Sequence, residues 1–251
     1  MNWPWSDLLT DVVLTDAVVS FQDELITEEA QLDAILDLPL RPFDANMPHS
    51  IVWTDGACSN NQDARFRRGG CGVFHAADHP SNISCALPGV SQSNNRAELL
   101  AVILALQQHS GPLEVRTDSS YVVQGAQCLK TNGCYTGRDN VTLWNKLQHL
   151  VLERPADSLL VCWVKGHATE HHILRGLSTR EDKEGNDGAD SLATRGAALH
   201  AAPEHLPRDA AWTLAAAKTV QRMMIAILVA RWQAEVDVDS VLSEPALADP
   251  G

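Results

Sequence analysis

The sequence predicts an α/β domain built on a mixed β-sheet, and three features of its middle stretch carry that expectation. Three strand-like segments follow one another with short connections, which reads as an antiparallel meander. Strand and helix then alternate, the pattern that builds parallel neighbours. Between the two lies "NNRAELLAVILALQQH", apolar on almost every side from Leu99 to Leu106, as a helix buried against a sheet must be.

The elements follow in order. Ile51-Val52-Trp53-Thr54 is a run of β-formers that ends at Asp55-Gly56, two small residues and two asparagines. By itself that reads as a strand entering a turn. A glycine-rich strand, Gly69–His75, comes next, then Asn82–Leu87, bounded by Pro88-Gly89. After the apolar helix the chain offers a strand "LEVRT", a helix from Ser119, a helix near "VTLWNKLQHLV", a strand "LLVCWV" and a helix from Gly185. The segment "AWTLAAAKTVQRMMIAILVARWQAEV" reads as one more helix, amphipathic or buried, that docks on the domain or on a partner.

Flanking composition sets the expected domain boundaries. Residues 1–48 hold ten Asp or Glu and one Arg, a balance of −9; residues 201–251 carry −3 and residues 49–200 only −1, of the whole chain's −13. Thr27 is placed to cap a helix over "EEAQLDAILDL", and Pro39, Pro42 and Pro48 then interrupt it. The reading is an acidic N-terminal extension and linker (1–48), a central domain (49–200) and a C-terminal helical extension (201–251). An overall negative charge argues against a phosphate-binding partner, but most of the acid lies outside the middle. Six cysteines form no C-x-x-C pair, which favours reduced thiols over a disulfide framework or a zinc site. No targeting pattern is visible at "MNWPWSDLLTD", so the expected location is intracellular, in nucleus or cytoplasm. The longest apolar run, Met223–Ala230, is far short of the roughly 20 residues a bilayer needs, so no membrane association is expected.

Four acids stand out on this skeleton. Asp55 ends the first strand, Glu98 falls in the first turn of the apolar helix, Asp118 ends "LEVRTD" and Asp190 lies in "GNDGADSLA". Each alone has an ordinary reading as a turn, helix-dipole or surface acid. Together they point to a shared site, because a carboxylate beside an apolar core is costly without a partner. If two adjacent strands end in Asp where the apolar helix begins, three carboxylates converge and repel unless cations sit among them. Hard oxygen ligands suit Mg²⁺ or Mn²⁺. Two such ions form the clamp that activates water and steadies the leaving oxygen in phosphodiester hydrolysis.

"TDGACSNN", "SNNRAELLAVILAL", "VRTDSSYVVQG", "WVKGHA" and "GNDGADSLATRGA" resemble, in order, the five sequence blocks of the type 1 ribonuclease H family, whose members cut the RNA strand of RNA–DNA hybrids. The similarity spans about residues 50–198, and "RFRRGGCGVFHAADHPSNISCALPG" is similar in particular to the eukaryotic branch. The resemblance implies a ribonuclease H-like fold, with a five-stranded mixed sheet in the order 3-2-1-4-5 flanked by helices. It implies two Mg²⁺ ions, with Mn²⁺ as a substitute, held by Asp55, Glu98, Asp118 and Asp190; Asp187 aligns outside that set. His167 matches the catalytic histidine that helps product leave or moves protons near the metal. His171 and His172 are expected to be loop residues, not a metal pair.

By the same resemblance, Asn61, Asn94 and Asn95 contact the two strands of the hybrid, where the 2′-hydroxyl distinguishes RNA. Ser93 and Asn140 match a pocket for a DNA phosphate, with Ser91 where arginine is common. The family's basic protrusion is replaced by "AQCLKTNGCYTGRDN", which holds only Lys130 and Arg138, and the loop between His167 and Asp190 is longer than usual. The hybrid-binding module found in front of many eukaryotic members is not recognisable in residues 1–48. The expected activity is endonucleolytic hydrolysis of the RNA strand by a monomer, leaving 5′-phosphate and 3′-hydroxyl ends. A second reading is a nucleic-acid-binding remnant of a retroelement polyprotein that keeps the fold without turnover.

Overall fold

The computed structural model describes residues 32–38, 40–60, 66–89, 91–200 and 205–242. Ser50–Ser59 (β1), Arg68–Phe74 (β2) and Ile83–Ala86 (β3) pair antiparallel in succession. Leu113–Thr117 (β4) adds parallel to β1, and Leu159–Trp163 (β5) adds parallel to β4. The strand order β3-β2-β1-β4-β5 is the five-stranded mixed sheet expected from the resemblance. β1 lies at its centre and is buried on both faces from Val52 to Gly56, which is why its sequence does not alternate cleanly.

Before the sheet, residues 32–36 form a short helix (α1). The helices after it are Asn94–Gln108 (α2), Ser120–Asn132 (α3), Val141–Leu152 (α4), Glu170–Leu174 (α5), Arg180–Ala198 (α6) and His205–Leu242 (α7). α2 is buried continuously from Arg96 to Gln107, as its apolar circumference requires. Alternation along β2 separates the two faces of the sheet. Cys71 and Val73 join the core that contains α2, whereas a Cβ on Gly70 or Gly72 would strike the backbone of α6. Glycine therefore lets α6 lie directly on the strand.

Several expectations change. Leu32 and Leu36, inside the stretch read as an acidic extension, are buried in the core, and Gln107 Nε2 donates to the Ile35 carbonyl at 2.9 Å. Leucines four residues apart share one helix face, so this part of the stretch packs although the acids around it stay in water. Thr27 lies outside the described residues. α6 begins at Arg180, not Gly185, because Thr179 caps it by accepting from the Asp182 N–H at 3.0 Å. His171 and His172 belong to α5 and not to a loop.

The chain divides into two units, Met1–Ala201 and Ala202–Gly251. In the second, α7 exposes Trp212, Met223, Ile225, Ile227, Leu228 and Trp232. Arg208–Val236 is by length and composition long and apolar enough to cross a bilayer, which Met223–Ala230 alone is not. Lys218 and Arg222 fall within that span, and basic residues are costly near a bilayer centre.

Candidate active site

β1 does not turn after Asp55. It continues to Ser59 paired with β2, while its pairing with β4 stops at Trp53 opposite Arg116. Asp55 and Asp118 each stand two residues beyond that last pair, where the parallel pairing of β1 and β4 ends, the edge at which open α/β sheets place their ligands. Gly56 follows, and a Cβ there would strike the Glu98 backbone and side chain. The glycine thus admits the second turn of α2 against β1. Ser93 starts that helix at Asn94, accepting from the Arg96 N–H at 3.3 Å, so Glu98 falls one turn deeper than expected.

The donor atoms of Asp55, Glu98 and Asp118 all lie within 4.8 Å of one another, with Asp55 and Glu98 each only 8% exposed. Asp190, on α6, lines the same cleft together with Asn94 and His167. Burial pushes the Asp55 carboxyl up to about 8, helped by Asp118, Asp190 and Glu98 and opposed by the Gly56 N–H, which donates to its Oδ1 at 2.7 Å. Glu98 is raised by burial and held back by the Ser119 hydroxyl, which donates to its Oε2. Asp118 is raised by burial, against the pull of the nearby Asn186 amide, which lies close without a well-formed hydrogen bond, and of the His167 ring. A cluster that resists full ionisation in this way is relieved by cations. Its donors are all carboxylate oxygens, so it fits hard divalent ions such as Mg²⁺ or Mn²⁺.

The loop after β5 closes the site. A Cβ on Gly166 would strike the Asp118 carboxylate, so glycine is needed there, and His167 follows in the left-handed region at φ 47° with its side chain at the mouth of the cleft. The Trp163 indole donates to the Asp118 carbonyl at 3.1 Å.

Asn94 reaches the cleft, and Asn95 is exposed beside it on the first turn of α2. The Ser93 oxygen serves as a helix cap. Asn140, at φ 54°, donates from Nδ2 to the Tyr121 hydroxyl at 3.1 Å, and that hydroxyl also accepts from Trp144 Nε1 at 2.7 Å. Asn61 lies outside the described residues. Asp187 is paired with Lys183 at 2.5 Å, and His172 Nδ1 accepts from the Thr169 N–H at 3.0 Å in a capping box, away from the carboxylates. Sequence reading missed Ser119 and Asn186. Ser119 had a signal in the Asp-Ser-Ser that opens α3, a cap sequence directly after a ligand; Asn186 had none.

A mixed α/β sheet with buried carboxylates gathered at the ends of parallel strands defines a metal-dependent class of site. The family model described as RNase H matches residues 47–198, and the chain belongs to the ribonuclease H family. It is 37% identical over 155 residues to Ribonuclease H of Schizosaccharomyces pombe and 34% identical over 155 residues to Ribonuclease H1 of Homo sapiens. Each match covers 59% of this chain, and 52% and 49% of those relatives, so the chain spans about half their length. Ribonuclease H of Jannaschia is 34% identical over 166 residues, which cover 61% of this chain and 93% of that protein.

Proposed function

We propose that this chain hydrolyses the RNA strand of RNA–DNA hybrids as an endonuclease, leaving 5′-phosphate and 3′-hydroxyl ends. The observation that carries the reading is the trio Asp55, Glu98 and Asp118, with donor atoms within 4.8 Å where the pairing of β1 and β4 ends against α2, in a chain of the ribonuclease H family. Asp55, Glu98, Asp118 and Asp190 would hold two Mg²⁺ or Mn²⁺ ions. When bound, such ions activate the attacking water and stabilise the leaving oxygen.

The chain's own groups do the rest. The buried carboxylates fix the reacting phosphate's surroundings, and His167, exposed at the mouth, exchanges protons with the departing product. Asn94 is placed to meet the strand that enters the cleft, with Asn61, Asn95, Ser93 and Asn140 extending the contact along the hybrid. Ser93 accepts a bond from the helix but keeps its O–H for a phosphate. Residues 49–200 act as the catalytic domain, joined in its core by Leu32 and Leu36 of α1, with the rest of 1–48 and 201–251 as extensions. All four carboxylates come from one chain, which supports action as a monomer. Six free cysteines support a reducing compartment, nucleus or cytoplasm.

A labelled hybrid incubated with Mg²⁺, beside duplex DNA, duplex RNA and an EDTA control, tests the proposal. Cleavage confined to the RNA strand of the hybrid and abolished by EDTA is expected. Equal cutting of duplex DNA, or full activity in EDTA, overturns it.

A further inference from the structure

Below the carboxylates lies a second layer of polar side chains. Trp53 stands two residues before Asp55 and Arg116 two before Asp118, and the two are direct partners across β1 and β4. Arg116 is only 17% exposed, which an unpaired guanidinium would not tolerate. Its Nε donates to Glu114 Oε1 at 2.7 Å, and its Nη1 donates to Asp182 Oδ1 at 2.8 Å and to Glu181 Oε2 at 3.3 Å. The guanidinium also lies over the Trp53 ring, 5.5 Å from its centroid. Trp53 Nε1 donates to the same Asp182 Oδ1 at 3.4 Å.

Asp182 belongs to the first turn of α6 and is tied to its start, since its Oδ2 accepts from the Thr179 hydroxyl at 2.8 Å. Asp190 follows eight residues later, about 12 Å along the axis. Elsewhere α6 meets the sheet mostly through glycine and alanine, with the Phe74 ring against Gly188 and the Ser84 hydroxyl donating to the Leu192 carbonyl at 2.7 Å. Gly70 and Gly72 lie against the backbone of Ala189, Ala193 and Ala197. The layer at Asp182 is different, because one guanidinium N–H of Arg116, whose Nε is anchored on Glu114, and the Trp53 indole N–H converge on one oxygen. Asp190 is also the carboxylate that stands outside the 4.8 Å trio, so its reach into the cleft depends on where α6 rests.

We infer that Arg116, with Trp53 and Asp182, is a positioning clamp that sets how far Asp190 reaches toward Asp55, Glu98 and Asp118, and through it the affinity for the divalent ions. The inference rests on the metal-dependent reading above. Arg116 touches neither substrate nor ion; it acts through α6.

The test compares the full chain with Arg116→Met, Arg116→Lys and Trp53→Phe. Mn²⁺ binding is measured by calorimetry without nucleic acid, alongside the Mg²⁺ midpoint and hybrid KM of cleavage and the thermal midpoint of folding. Arg116→Met is expected to weaken Mn²⁺ binding and raise the Mg²⁺ midpoint about tenfold, as loss of a group that orients a ligand does. Hybrid KM stays unchanged and kcat recovers at saturating Mg²⁺. Arg116→Lys, which keeps the charge and loses the fork, gives a smaller shift. If Arg116→Met does not fold, Trp53→Phe, which keeps an aromatic ring but loses the N–H donor and part of the indole's bulk, decides by the same titration.

Folded variants that bind Mn²⁺ like wild type, whatever their thermal midpoint, overturn the clamp, as does a loss confined to KM. A wild-type chain that binds Mn²⁺ without cutting the hybrid overturns the activity reading but leaves the calorimetric test of the clamp intact. A wild-type chain that binds no divalent ion overturns both.

Discussion

The Ser119 hydroxyl donates to Glu98 Oε2 while its oxygen accepts from the Val122 N–H at 3.3 Å, so one side chain both caps α3 and steadies a carboxylate of the cleft. Ser119→Ala removes both bonds. Loss of the cap costs about 1 kcal/mol, a modest fall in thermal midpoint. Glu98 also loses the one group that favours its charged form, so burial is left to raise it further. Cleavage at neutral pH is therefore expected to fall by more than the stability loss explains, and Ser119→Thr, which keeps the hydroxyl, to restore it. Unfolding curves and cleavage rates for the two variants check this; a Thr variant as impaired as Ala shows that the hydroxyl is not what matters.

Asp118→Asn keeps the shape of a ligand and removes its charge. Cleavage is expected to fall by several orders of magnitude, on the order of 10³ or more, because the cation site loses a donor whose charge cannot be replaced. Folding without metal survives, since Asp55 and Glu98 both lose a repelling neighbour. His167→Ala is expected to lose less, because His167 lies at the mouth and holds no place among the three clustered carboxylates. Single-turnover rates for both variants at saturating Mg²⁺ separate the roles. A near wild-type rate for Asp118→Asn means the site is misassigned.

The metal-free protein carries the cost of the cluster as a pH dependence. Asp55 has an ordinary value of 3.8 and is pushed up to about 8 in the fold, so the folded state binds its proton more tightly than the unfolded chain does. Stability from this group is fully present below about pH 3.8 and is lost as pH rises toward 8. In EDTA the thermal midpoint is expected to fall between pH 5 and pH 8 in a way that Asp55→Asn reduces. Adding Mg²⁺ raises the midpoint most at the alkaline end, where the carboxylates are ionised and bind it best. A midpoint that is flat with pH in EDTA, or a Mg²⁺ effect larger at pH 5 than at pH 8, contradicts the account.

How much of this was legible beforehand follows from the range of each interaction. Asp55 and Asp118 stand just past runs of β-formers, and local pattern is enough to place them side by side once β1 and β4 are adjacent. α2 was legible because every face of it is apolar. The partners that hold the carboxylates were not. Arg116 and Asp182 are 66 residues apart, and nothing in either segment names the other. The glycine-rich strand β2 was legible as a strand, but not that Gly70 and Gly72 are where α6 rests, a contact that exists only in the assembled fold. Leu32 and Leu36 were hidden for a different reason: regional charge was read where helix-face spacing should have been.

Those two leucines change how the acidic N-terminal stretch is to be tested. A chain starting at Pro48 loses not only charge but Leu32, Leu36 and the bond from Gln107 to the Ile35 carbonyl, all part of the core. Truncating one fully buried leucine costs about 2–5 kcal/mol, so Leu32→Ala alone is expected to lower the thermal midpoint clearly, and the Pro48 start more so. Electrostatics needs a shorter deletion. Residues 1–30 contain seven acids and no Lys or Arg, so removing them takes the net charge from −13 to −6 and leaves α1 in place. If the acidic stretch restrains binding by long-range repulsion, this deletion lowers the hybrid Kd at low ionic strength without moving the thermal midpoint. The gain then fades near physiological salt, where the screening length is about 8 Å. Kd values for both chains at low and moderate salt decide. Equal values at low salt remove the restraint, and a gain that ignores salt means that the stretch occludes the hybrid by contact.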